Sequence, residues 1–211
     1  MNESHVWEVY ERHGYSEGWS FMMTPEASLT TAQTVIVGLN PGGSGREGCW
    51  DHAPGNAYFM QKWGSGELVD NAIQTQVKAI HDTLGIAQDE IFAAQFIPFR
   101  SRDLASLASK NEAKAFGMEL WKWVIEQSPA KLYLTMGSEV GGSIGHLLQA
   151  KWEEDLPTGW GATKFRRRVA ADGRVVVQMP HPSRYQIYSQ SPEKTELAKE
   201  SLRRAARPAG A

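Results

Sequence analysis

The chain has 211 residues, 41% hydrophobic and 22% charged, enough apolar material for a sizeable core and too much for a disordered segment. No run approaches the ~20 apolar residues of a membrane span, and the single cysteine, Cys49, excludes a disulfide framework and any four-cysteine zinc or iron–sulfur centre. The net charge of −2 conceals a split: residues 1–159 hold 11 Lys and Arg against 20 Asp and Glu, a net of −9, while residues 160–211 hold 11 against 4, a net of +7. Such asymmetry hints at a polyanionic partner, although a solvated basic hairpin and helix would look the same.

A short helical pattern runs from Val6 to Tyr10, with Gly14 as its stop. Thr34 to Leu39 is apolar and rich in β-branched residues, the pattern of a buried strand. It breaks into Asn40-Pro41-Gly42-Gly43-Ser44-Gly45, and a long loop is expected to about Trp63. Leu68, Ala72, Ile73, Val77, Ile80 and Leu84 recur at helical spacing, which predicts a helix over 67–84 closed by Gly85. Residues 91–97 read as a second strand, 111–126 as a helix capped by Asn111, 131–136 as a third strand and 139–150 as a third helix. Asp172-Gly173 marks a hairpin between 164–170 and 174–179. Ser191-Pro192 opens a basic helix over 192–206. Strands alternating with helices predict one α/β domain over 1–211, with a mainly parallel sheet and helices on both faces. Ligands of such sheets sit beyond the carboxyl ends of the strands, where the loops 38–48 and 180–186 would share one rim with Gln95 to Arg100.

Gly43-x-Gly45-x-x-Gly48 has dinucleotide-loop spacing, but Pro54 and Gly55 interrupt any helix opening behind it, so that signal is weak. Gly38-Leu39-Asn40-Pro41-Gly42 is more specific. It places a polar side chain rigidly at a strand tip, with glycines that let backbone N–H groups approach a ligand. A plain Pro-Gly turn is the alternative. Met179-Pro180-His181-Pro182-Ser183 fixes a histidine between two prolines, where it can donate to an anionic oxygen or act as an acid or base; a merely structural loop histidine is the competing reading. The six histidines include no pair at metal-ligand spacing, and no zinc-hydrolase, zinc-deaminase, serine-hydrolase or P-loop signature occurs. Trp50, Tyr58 and Phe59 are either satellite core packing or an aromatic platform for a planar base. Arg100, Arg102 and Arg166-Arg167-Arg168 are either solvated or phosphate contacts.

Taken together and in order, Gly-Leu-Asn-Pro-Gly at 38–42, His52-Ala-Pro-Gly-Asn-Ala-Tyr-Phe59 and His-Pro-Ser at 181–183 resemble the uracil-DNA glycosylase superfamily. The similarity is greatest to its mismatch-specific uracil/thymine branch and covers about residues 33–190. The resemblance implies a three-layer α/β/α sandwich around a mainly parallel four-stranded sheet, and an enzyme that extrudes a damaged base from DNA and hydrolyses its N-glycosidic bond, as a monomer, without metal or other cofactor. By resemblance, Asn40 positions the attacking water and His181 hydrogen-bonds the base oxygen. Gly38, Leu39 and Gly42 line the base site, Trp50 stacks on the base, and Gln95 stands where the family usually has a base-reading Asn. Arg184, Tyr185 and Gln186 form the loop that enters the duplex and fills the gap; beside the resemblance, Ser183 and Arg100 are expected as further DNA contacts. The most active uracil-specific branch has an acidic residue in place of Asn40, so a slower enzyme is expected. Cys49 alone excludes the iron–sulfur branch. With no basic or apolar region in Met1-Asn2-Glu3-Ser4-His5 that would mark a secretory signal, a cytoplasmic location without membrane attachment is expected. Gln95, one methylene longer than Asn, motivates a second reading, a non-catalytic nucleic-acid- or base-binding module on this fold. The glycine-rich loop motivates a third, an unrelated α/β enzyme using a nucleotide or sugar phosphate.

Overall fold

In the computed structural model, which describes residues 1–43, 45–63 and 69–210, eight strands and six helices alternate along the chain. They run α1 (Glu3–Arg12), β1 (Trp19–Ser20), β2 (Thr34–Gly38), β3 (Gly48–Cys49), α2 (Ala57–Met60), α3 (Ala72–Leu84) and β4 (Ile91–Gln95). Then follow α4 (Lys110–Gln127), β5 (Leu132–Met136), α5 (Ser138–Leu147), β6 (Lys151–Pro157), β7 (Lys164–Val169), β8 (Val175–Met179) and α6 (Pro192–Ala206). The main sheet has six strands in the order β4-β2-β5-β8-β7-β6. The first four are parallel; β7 and β6 add an antiparallel edge.

The expected four-stranded sheet is therefore corrected to six. Strand β6, Lys-Trp-Glu-Glu-Asp-Leu-Pro, carries four charges and exposes most of its residues, so it has no apolar alternation to betray it. An edge strand needs little burial, because one neighbour supplies its hydrogen bonds. The long loop after β2 also contains structure, since β3 pairs with β1 and Asn56 caps the short α2. Helix α3 starts at Ala72 rather than 67; Glu67 and Leu68 lie outside the described residues. Asn71 and Gln74 close a reciprocal capping box, which fixes the start. Gly85 ends it in the left-handed conformation, φ 64°. The cap of α4 is Ser109, not Asn111, and at α6 Ser191 is the cap residue without a side-chain bond.

The buried strands feed two cores by strict alternation. Val35, Val37, Phe92, Ala94, Tyr133 and Val176 face a core that includes α1, α4 and α5. Ile36, Ile91, Ala93, Leu134, Val175 and Val177 face the opposite core with α3 and α6. Burying each such aliphatic side chain contributes roughly 1.5–3 kcal/mol, so a one-residue register slip would exchange the two faces and is strongly disfavoured. The register brings the carboxyl ends of β2, β4, β5 and β8 to one rim, with Gly38 opposite Gln95 and Met136 opposite Met179. Past the strand ends the pairing continues: Phe96 N–H donates to the Gly38 carbonyl at 2.8 Å and Ile97 N–H to that of Leu39 at 2.8 Å. The chain leaving β2 is therefore held in place as far as Asn40.

Candidate active site

A cavity of about 500 Å³ opens on this rim, lined among others by Gly38, Leu39, Asn40, Gly42, Gln95 and His181. A groove of about 1050 Å³ adjoins it and shares Leu39, Asn40, Gly42 and His181. Arg102, Lys164, Arg166 and Arg184 line the groove together with Asp103, Glu139 and Asp155, so the recess sits beside a groove of mixed charge in which the cations outnumber the carboxylates by one.

The Asn40 amide is oriented by its surroundings. Its Nδ2 donates to the Ser101 hydroxyl at 2.9 Å, the Ser101 carbonyl at 3.2 Å and the Pro41 carbonyl at 3.3 Å. Ser101 Oγ in turn donates to the Asp103 carbonyl at 2.8 Å, which leaves its lone pairs for Asn40. With every contact on the nitrogen, Oδ1 is the acceptor available to a water in the cavity.

His181 is fixed in one tautomer. Its Nδ1 accepts from the Ser183 hydroxyl at 2.8 Å and the Ser183 backbone N–H at 3.3 Å. A backbone N–H can only donate, so Nδ1 is bare and Nε2 carries the hydrogen. Burial, reinforced by the nearby Arg184 charge, holds the imidazole below its ordinary range, which favours this neutral donor.

Gln95 lies 7% exposed at the end of β4. A Cβ at Gly38, its register partner, would stand 2.3 Å from Gln95 Oε1, so the long amide is folded into the space that glycine leaves open. Trp121 Nε1–H donates to the Gln95 carbonyl at 3.0 Å and anchors the strand end. Tyr58 forms part of the wall; burial pushes its phenol above the ordinary range, with the Gln95 side chain pulling slightly the other way. Burial likewise raises the Cys49 thiol, whose Sγ–H donates to the Asp51 carbonyl.

The family model described as the uracil DNA glycosylase superfamily matches residues 25–205. The chain belongs to the uracil DNA glycosylase superfamily. No curated protein sequence matches the chain. Members of this superfamily are typically DNA glycosylases acting on uracil-like bases. The matched stretch contains the groove, both strand-end motifs and all of the cavity lining except Ser20, Met22 and Met23.

Within this glycosylase frame most of the expected residues come together, and some do not. Trp50 is a correction: it packs on Phe21 and Trp123, with ring centroids 5.3 and 5.9 Å away, and does not line the cavity. The backbone sets this, because Met22 N–H donates to the Trp50 carbonyl and draws residue 50 along the line of β1. Tyr58 and Trp63 are the aromatic residues of the cavity wall instead. Phe59 packs on His81. Arg100 lines the cavity, but its guanidinium donates to the Gly42 carbonyl at 2.7 Å, so it braces the Asn-Pro-Gly loop. Ser183, Arg184 and Tyr185 line the groove; Gln186 is exposed and lines neither recess. The Gly43–Gly48 spacing leads into β3 rather than a helix, and its Ser44 lies outside the described residues. Ser101 and His52 line the groove and the cavity, respectively, although neither has a role legible in the sequence: His52 enters there only as part of the 52–59 motif. Ser101 follows a strand end in an unremarkable loop, and nothing in its spacing reveals that it meets Asn40.

The basic carboxyl-terminal segment does not present all its charge to the groove. Arg167 is fully buried and donates to Glu153 at 2.7 Å and to the carbonyls of Ala205 and Arg207 at 2.7 and 2.6 Å. Arg204 and Arg207 pair with Glu154. Burial works against the Glu154 carboxylate, but the two guanidinium groups outweigh it and hold its pKa down.

Proposed function

We propose that the protein is a monofunctional DNA glycosylase that extrudes uracil or a related deaminated base and hydrolyses its N-glycosidic bond, and that it stands near the mismatch-specific branch of its superfamily. The observation that carries the reading is the meeting of Asn40, Gln95 and His181 on one recess beside a groove lined by Arg102, Lys164, Arg166 and Arg184. Asn40 Oδ1 accepts from the attacking water and aims it at the sugar carbon. An amide is too weak a base to deprotonate water, so the bond must break largely by departure of the base. As it breaks, the sugar gains cationic character and the base negative charge. His181 Nε2–H donates to the base oxygen where that charge grows, an interaction stronger in the transition state than in the ground state. Gln95 reads the base from its seat over Gly38. The cost of extrusion, a few kcal/mol, is least for a mismatched or unpaired base. Arg102, Lys164, Arg166 and Arg184 hold the flanking phosphates, with Ser183 and Tyr185 beside them.

The test is base release from oligonucleotides carrying uracil in single strands and opposite guanine, with thymine and hypoxanthine as further bases. Abasic sites should form, and Asn40→Ala and His181→Ala should each lower the rate by roughly 100-fold or more, the scale of a lost transition-state hydrogen bond. Ser101→Ala should lower kcat with KM little changed, because it frees the Asn40 amide to rotate without touching DNA. Salt-sensitive DNA binding with no release of any base would favour instead a binding module, the reading that Gln95 motivates.

A further inference from the structure

We propose that His52 is a base-reading residue, whose Nε2 accepts a hydrogen bond from a ring N–H of the extruded base. The proposal rests on the glycosylase reading for the identity of the ligand. Its polarity comes from the turn that holds the ring. His52 Nδ1 lies 2.6 Å from the Gly55 carbonyl oxygen. A carbonyl cannot donate, so Nδ1 carries a hydrogen, and in the neutral form of the ring Nε2 is the bare nitrogen. Gly55 N–H donates back to the His52 carbonyl at 3.0 Å, closing a reciprocal turn, and His52 N–H is tied to the Thr24 carbonyl at 3.3 Å. Gly55 has φ 137°, and a Cβ there would stand 2.4 Å from Met60 Sδ. The carbonyl that sets the tautomer is thus aimed by a conformation glycine adopts and other residues resist.

His52 is half-buried and lines the same cavity as Asn40, Gln95 and His181. The cavity therefore holds two imidazoles locked in opposite senses: His181 is a donor through Ser183, and His52 an acceptor through Gly55. A ligand matching both must carry an acceptor oxygen and a ring N–H. Uracil and hypoxanthine both meet that description. A base without a ring N–H leaves the His52 lone pair without a partner in a partly dry site, which a polar pocket penalises more than the loss of an apolar contact.

The experiment compares His52→Leu with the wild type on whichever of uracil and hypoxanthine the wild type releases from DNA. It also measures affinity for an oligonucleotide with a tetrahydrofuran abasic site, which has no base to read. The expected result is a roughly 10- to 100-fold loss of kcat/KM with abasic-site affinity unchanged. Undiminished base release, or a parallel fall in abasic-site affinity, overturns the proposal. A second measurement stands apart from activity and from the folding of the variant: imidazole nitrogen spectra of the wild-type protein at neutral pH. They should show His52 protonated at Nδ1 and bare at Nε2, and a protonated Nε2 overturns the proposal. If the wild type releases no base, the glycosylase reading fails, and the nitrogen spectrum still judges the polarity of His52.

Discussion

At His181, tautomer and titration are one question. Burial first, then Arg184, depress its pKa below the ordinary imidazole value of 6.5. In the pH window below 6.5 and above the depressed value, the unfolded chain takes up a proton that the folded protein refuses. This residue's contribution to stability is therefore complete above about pH 6.5 and is lost as pH falls through the folded value. Protonation would also put a hydrogen on Nδ1, facing the Ser183 N–H, and release the ring from its anchor. An NMR titration should place His181 below 6.5, and Arg184→Ala should move it upward by removing the like charge. Of the site residues, Asn40 and His181 were legible in the sequence because prolines and strand ends give them a fixed position. Ser101 and His52 were not, because their roles depend on partners 61 residues away and on a glycine carbonyl, respectively.

At the scale of elements, the parallel strands were legible from their unbroken apolar runs, since both faces are buried. Strand β6 was not, because its charges are satisfied by partners that only the folded chain supplies: Arg167 for Glu153, and Arg204 and Arg207 for Glu154. The Arg167 guanidinium ties β7 to the end of α6 through carbonyl groups that α6 itself leaves unpaired. Arg167→Ala should cost about 3 kcal/mol, because it empties a buried volume and strands those carbonyls. Urea denaturation should register the loss as a lower midpoint. Arg166→Ala, at an exposed position on the same strand, should change stability by less than about 1 kcal/mol.

For the molecule as a whole, the sequence split of −9 and +7 overstated the charge available to DNA. Folding brings the acidic β6 against the basic α6 and cancels much of both; around the groove stand four cations, Lys164, Arg166 and Arg184 of the basic segment and Arg102, with the carboxylates Asp103, Glu139 and Asp155. If all four meet phosphates, affinity for duplex DNA should fall with salt at a log–log slope of roughly −3.6, about −0.9 for each contact. Lys164→Ala should make that slope shallower by about 0.9, whereas Arg204→Ala should leave it unchanged; equal effects of the two would refute this division of charge.

The clamp on Arg167 also has a consequence for the order in which the protein is made. The strand-end loops that form the base recess are complete once His181 has been synthesised. Arg167, in contrast, emerges 38 to 41 residues before the carbonyls that secure it. A domain folds as a unit, yet a nascent chain lacking residues 205–208 would hold every residue of the cavity lining without the groups that secure β7. Truncation before Ala205 should therefore destabilise the edge of the sheet that carries Lys164 and Arg166 while removing no residue that lines either recess.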